Sequence, residues 1–217
     1  DSPYPSWTWE QMNGNTAVIT RAADMAVSKG IVVVNSAGNG GQNTTRNTLN
    51  APADGDSVLS IGAVNPDGSR SGTSSVGPTT SVPARIKPDV MAQGVGVRCA
   101  SWTVPNQYTL SGGTSLSCPL VAGVVALMLQ SKPTATPIEI GNKLRQTASR
   151  AGSPDNLYGW GIVNAMSAVT SVSGIQPLPT SFAIRNVYPN PFNPNTTIEY
   201  FLPQSAFVSL AIHDLLG

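Results

Sequence analysis

Apolar residues recur at helical spacing through Ala17, Val18, Ala22, Met25 and Ala26, behind an Asn13-Gly14-Asn15 turn. They predict a helix from about Thr16 to Lys29, stopped by Gly30. Ile31-Val32-Val33-Val34 follows as a short, continuous β-branched run, the pattern of a strand buried on both faces of a parallel sheet. Val58 to Val64 reads as a second such strand, ended by the Asn65-Pro66-Asp67-Gly68 turn, while Val90-Met91-Ala92 and Val95-Gly96-Val97 are shorter candidates. A helix, a glycine and a buried strand in succession make an α/β unit. From Ser115 to about Gln130 the chain is apolar nearly all round, through Leu120, Val121, Val124, Val125, Leu127, Met128 and Leu129, which predicts a buried central helix. Pro119 falls within its first turn, where backbone N–H groups have no intrahelical acceptor, and so costs little. Thr136-Pro137-Ile138-Glu139 is a capping box that opens a helix to about Ala148, and Asn164 caps a last one to about Val169.

Past Val172 the pattern breaks. Ser173 to Thr180 is rich in Pro, Gly and Ser, as linkers are. Thr196 to Leu202 and Ala206 to Ile212 then alternate around Pro203-Gln204-Ser205, which predicts the opening strands of a small β-sandwich. About 30 residues cannot bury a core of their own. The predicted organisation is a main domain over 1–170, a linker over 171–185 and a short β module over 186–217.

The length of 217 residues fits one ordinary domain and a small appendage, at ~100 to 200 residues per domain. With a net charge of +1 and 11% charged residues, there is no basic stripe to neutralise phosphates, so nucleic acid is not an expected partner. No apolar run is read as approaching the ~20 residues of a membrane span, and Asp1 opens no signal segment. Asp1-Ser2-Pro3-Tyr4-Pro5 reads as the start of a mature form or a fragment. Cys99 and Cys118 are too few for a disulfide framework; they read as two buried thiols or as a single bridge.

The candidate chemistry sits at Gly112-Gly113-Thr114-Ser115-Leu116-Ser117-Cys118-Pro119, where a small-residue turn delivers a serine to the start of the apolar helix. Taken alone, such a serine reads as an N-cap. The whole string, continuing through Val121-Ala122-Gly123, resembles the nucleophile segment of the subtilisin-like serine proteases, the subtilases. A second segment resembles the same family: the strand Ile31 to Val34 runs into Asn35-Ser36-Ala37-Gly38-Asn39-Gly40-Gly41. The resemblance implies Ser115 as nucleophile and Asn39 as oxyanion-hole donor, with Asn35, Ser36, Ala37, Gly38, Gly113 and Thr114 around the bound substrate. Asn39 on its own also reads as a turn residue in a Gly-rich loop. Lys87-Pro88-Asp89-Val90 and Tyr158-Gly159-Trp160-Gly161 look like family framework, and the resemblance runs over roughly residues 7 to 170. It implies an α/β class, with an incomplete parallel sheet carrying helices on both faces, followed by the start of the small β-sandwich. The implied partner is a protein or peptide substrate; no cofactor and no metal site are implied.

A serine nucleophile needs a base, and the single histidine is His213, near the far end. In subtilases the order is Asp, His, Ser, so the resemblance implies that both partners lie upstream of Asp1 and that the isolated chain is inactive and poorly soluble. Two other readings stand beside it. One is an α/β-hydrolase triad of Ser115, Asp155 and His213, which lacks the Gly-x-Ser-x-Gly elbow. The other is a pseudoprotease or binding fragment.

Val187-Tyr188-Pro189-Asn190-Pro191-Phe192-Asn193-Pro194-Asn195-Thr196-Thr197-Ile198 resembles the opening of the C-terminal sorting domains of the type IX secretion system, and Asp214 to Gly217 a later turn of them. That resemblance implies export through the periplasm and outer membrane, with the secretion machinery as a partner and a secreted or cell-surface destination.

Overall fold

Every residue of strand β2 (Leu59–Val64) is buried, which makes it the centre of the sheet. The structure, a computed structural model, describes residues 6–43, 45–101, 103–173, 182–188, 195–203 and 206–211. Two further strands flank β2 in parallel, in the order β1 (Val34–Ser36), β2, β3 (Val90–Gln93), with Val34 beside Leu59 and Ile61 beside Val90. On the far side of β3, the Met91 N–H donates to the Gly161 carbonyl and the Val163 N–H to the Met91 carbonyl, so the segment around Gly161 covers that edge. Helix α2 (Thr114–Ser131) lies against the sheet, its Val121, Val124, Val125 and Met128 meeting Leu59, Ile61, Val90 and Ala92 in one core. Helices α3 (Pro137–Thr147) and α4 (Ala165–Ser173) complete that core through Ile140, Leu144, Ala168 and Val172. The α/β class with a parallel sheet is as the sequence predicts.

Burial departs from the sequence reading in one consistent way. The predicted strand Ile31 to Val34 forms three residues later than expected and at the sheet's edge: β1 is half-buried throughout and Ile31 is exposed. Helix α1 (Val18–Ser28) starts two residues late, because Asn13 spends its side-chain carbonyl on the N–H groups of Asn15 and Thr16; Val18 and Met25, read as its inward face, are both 65% exposed. Helix α2 buries only one side, leaving Leu120, Gly123, Ala126 and Leu127 as an exposed stripe at i, i+3, i+4 spacing. By length and composition α2 also passes as a membrane span, which the sequence reading missed; here its inner face is packed on the sheet.

Local signals fared better. Thr136 accepts the Glu139 N–H, as an N-cap should, but the reciprocal half of the predicted box is absent: Glu139 turns its carboxylate to Lys132, 2.6 Å away. Asn164 caps α4 through the Ser167 N–H, and the helix continues to Ser173. The fourth candidate strand forms two residues late as β4 (Val97–Ala100), paired antiparallel with β5 (Tyr108–Ser111), which the pattern did not announce.

Beneath the sheet lies a buried charge cluster. Lys87, 2% exposed, donates to the Val58 carbonyl at 2.7 Å and to Asp89 at 2.8 Å. Asp89 also accepts from the Ser60 N–H and, through its other oxygen, from the Nε and Nη2 of Arg145 on α3. Burial pushes the Asp89 carboxyl up, but Lys87 and Arg145 outweigh it and hold its pKa below the usual 3.8. A carboxyl depressed in the folded state stabilises above its unfolded pKa, and that stability is lost as pH falls through the folded value. The melting temperature should therefore drop as pH is lowered below about 4. Asp89→Asn should flatten that slope; an unchanged acid profile would exclude this origin.

The chain divides after residue 174. In the second unit, β6 (Ala183–Tyr188) pairs antiparallel with β7 (Thr197–Phe201), with a register shift between Ile184 and Asn186. The partner of β7 thus precedes it in the chain. The predicted strand Ala206 to Ile212 is not formed over its described residues 206–211. Helix α4 at 171–173 and β6 from 183 both intrude into the stretch read as a linker over 171–185.

Candidate active site

The serine segment enters α2 through two glycines. Gly113 has φ +123°, open to glycine, and its N–H donates to the Gly94 carbonyl at 2.7 Å. A Cβ at Gly94 would stand 2.8 Å from the Gly113 carbonyl oxygen, so the two loops approach this closely because Gly94 has no side chain. Gly113 is the N-cap residue of α2 and no side chain caps the helix. The N-cap reading of Ser115 therefore fails: Ser115 is the second helical residue, exposed, with no hydrogen bond from its hydroxyl among the described residues. Its backbone N–H belongs to the first turn, which has no intrahelical acceptors and carries the positive end of the helix dipole.

Asn39 comes to this helix start from the loop after β1. Its Oδ1 accepts the Thr114 N–H at 2.9 Å and the Thr114 hydroxyl at 3.1 Å. The same hydroxyl accepts the Gly38 N–H at 3.2 Å. With the carbonyl end of the Asn39 amide held twice, its Nδ2 group is left with both protons unpartnered among the described residues. An acceptor for two donors at one end and a free –NH2 at the other is the arrangement needed to present hydrogen bonds to a developing anion. Gly40 is fixed in turn, its N–H donating to Ser75 Oγ at 3.0 Å while that hydroxyl donates to the Thr48 carbonyl at 2.6 Å.

The residues expected around the substrate are placed unequally. Thr114 is 1% exposed and bonded to Asn39 through both its N–H and its hydroxyl. Ala37 turns its methyl into a small cluster with Met12 and Leu49, and Gly38 is buried against Ser75 and Asn50. Asn35 and Ser36 are half-exposed, with Asn35 Nδ2 donating to the Ser36 carbonyl at 2.8 Å. Gly113, also half-buried, lies where a Cβ would come within 3.3 Å of Asn39 Nδ2. The motif already pointed to Thr114, but its bond to Asn39 and the Ser75–Gly40 bond join residues 75 and 35 apart in the chain.

Asp155 accepts the N–H groups of Leu157 and Tyr158 and pairs with Arg150, so it is engaged within its own loop. His213 and the turn at Asp214 to Gly217 lie outside the described residues, as does most of the Pro/Asn-rich stretch at 189–194. Cys99 and Cys118 are free, half-buried thiols, and burial pushes the Cys118 pKa up.

Subtilisin DY of Bacillus licheniformis is 40% identical over 157 residues, covering 72% of this chain and 53% of its own length. Serine protease AprX of Bacillus subtilis is 34% identical over 171 residues, 70% of this chain and 38% of AprX. The chain thus spans about half, or less, of the length of these relatives. Among solved structures, a Pseudoalteromonas arctica protease superposes with a TM-score of 0.56 at 32% identity, over 70% of this chain and 46% of that one. The self-cleaved protease domain of PatA does so with 0.57 at 25%, over 71% and 54%. The Subtilase family, Peptidase S8, matches residues 5–161, and the chain belongs to that family.

Proposed function

We propose that this chain is the nucleophile-bearing part of a serine endopeptidase that cleaves protein or peptide substrates through an acyl-enzyme on Ser115. The observation that carries the reading is the double hold of Thr114 on Asn39 Oδ1, beside a serine whose hydroxyl is unengaged. In the reaction, Ser115 Oγ attacks the scissile carbonyl and its proton passes to a histidine base. The carbonyl π pair moves to oxygen, where Asn39 Nδ2 and the Ser115 N–H receive the negative charge. Collapse expels the amine, which takes the proton back, and water then hydrolyses the ester.

The histidine and its aspartate come, in this reading, from the half of the domain that the relatives have beyond the matched region, so the chain alone is inactive. Asn35, Ser36 and the backbone of Ala37 and Gly38 wall the pocket for the residue before the cut bond. The resemblance at residues 186–217 supports export by a type IX route, to the cell surface or medium.

The test is fluorophosphonate labelling of a polypeptide carrying this chain together with such a half-domain, and of the chain by itself. Label on Ser115 in the first and none in the second supports the reading; label on another residue, or none in either, defeats it and favours a pseudoprotease. Within an active protein, Thr114→Val removes one hydrogen bond to Asn39 and should lower kcat about tenfold with KM little changed, while Thr114→Ser restores the rate. A KM effect of the same size would mean that Thr114 serves substrate binding.

A further inference from the structure

A cleft of about 690 Å³ opens one residue beyond the oxyanion donor, its wall beginning at Gly40. Trp7 and Trp9, 40% and 37% exposed, stand along it, with buried Met12 and Leu49 in its lining. The aromatic segment is held in place: Asn47 Nδ2 donates to the Trp9 carbonyl at 3.3 Å, and Thr80 Oγ1 to the Glu10 carbonyl at 2.7 Å. Arg46 also lines the cleft, its guanidinium 5.9 Å from the Trp9 ring centre. A guanidinium over an indole face is oriented by the ring quadrupole without using up its N–H donors.

No carboxylate among the described residues satisfies those donors. Among the described residues Arg46 has no ion pair within 4.0 Å and no hydrogen bond. Glu10 is the nearest acidic candidate on the aromatic segment, and its carboxyl is held below the usual value first by the Thr8 side chain and then by its own backbone, with Arg46 the smallest contributor. Its partner is thus local, and the guanidinium fork remains open to the cleft. An unpaired fork, the apolar side chains of Trp9, Met12 and Leu49 in the lining, and the adjacent oxyanion loop together describe a receptor for a carboxylate on a short apolar stem.

Resting on the function proposed above, we infer that this cleft selects substrates with an acidic side chain near the bond to be cut, recognised by Arg46 against Trp9. The stem lies along Trp9, Met12 and Leu49, and the carboxylate takes the two parallel N–H groups of the guanidinium. A lysine in that place faces the like charge of Arg46.

Equilibrium binding to the full polypeptide with Ser115→Ala tests this without turnover. Labelled peptides differing only in Glu, Gln, Lys or Phe at each position of one scaffold are compared by fluorescence anisotropy. At one position Glu should bind roughly three- to tenfold tighter than Gln, with Lys weakest and the Glu advantage shrinking as salt rises. Arg46→Ala should erase the Glu–Gln difference, Arg46→Lys retain part of it, and Arg46→Glu invert the order of Glu and Lys. Equal binding of Glu and Gln at every position, or a Phe preference indifferent to Arg46, overturns the inference. A protein without peptidase activity that still separates Glu from Gln would refute the proposed function and keep this site.

Discussion

In a full polypeptide with the proposed peptidase activity, Ser115→Ala should lower kcat on a peptide substrate by about 10⁶-fold, the size known for the nucleophile of subtilisin. The physical reason is local. Ser115 is the only hydroxyl exposed at the start of α2: Thr114 is committed to Asn39, and Ser117 is fully buried and donates to the Thr114 carbonyl at 3.0 Å. No neighbour can therefore substitute for it. Substrate affinity should change little, since the Oγ contributes its bond only along the reaction. The residue of catalysis left behind, about 10³–10⁴ over water in subtilisin, is the share of the oxyanion donors and binding. Adding Asn39→Leu to Ser115→Ala should remove most of that remainder. The check is kcat and KM for the two single variants and the double; a Ser115→Ala protein retaining more than about 1% of activity would show that another group attacks.

Asp89→Ala should destabilise the protein by about 3–5 kcal/mol, the range for removing one partner of a buried ion pair. The loss strands Lys87, whose Nζ keeps only the Val58 carbonyl, and it frees Arg145 Nε and Nη2 on α3. It also orphans the Ser60 N–H in the middle of β2. Lys87→Met together with Asp89→Leu should recover part of the loss, because the charge that made the site costly has gone as well. Urea unfolding of the three proteins decides the point: an Asp89→Ala penalty below about 1 kcal/mol would place the cluster among weak surface-type pairs.

What could be read from sequence follows the range of the forces involved. The turn after β2, the Thr136 cap and the Asn164 cap rest on partners two to four residues away, and each formed. The strand β2 was legible because both of its neighbours are present to bury it. The run at 31–34 has the same β-branched pattern, yet the strand it leads into, β1, sits half-exposed on the edge, since burial is set by what lies beside a strand and not by its own side chains. In the site, Ser115 and Asn39 were visible through motifs. The bond between Thr114 and Asn39 was not, because it spans 75 residues, and the Arg145–Asp89 bond spans 56. For the same reason β7 found its partner behind it in the chain, where alternation gives no preference between neighbours.

The exposed stripe of α2 runs along the same helix whose first turn presents Ser115. A segment that covered Leu120, Gly123 and Leu127 on the folded helix, and not on the unfolded chain, would add RT ln(1 + [L]/Kd) to the stability of the helix that carries Ser115. Rigidity at the serine is then a saturable quantity. It could be titrated: the melting temperature, and hydrogen exchange in the first turn of α2, would rise and slow together as such a segment is added, following one binding isotherm.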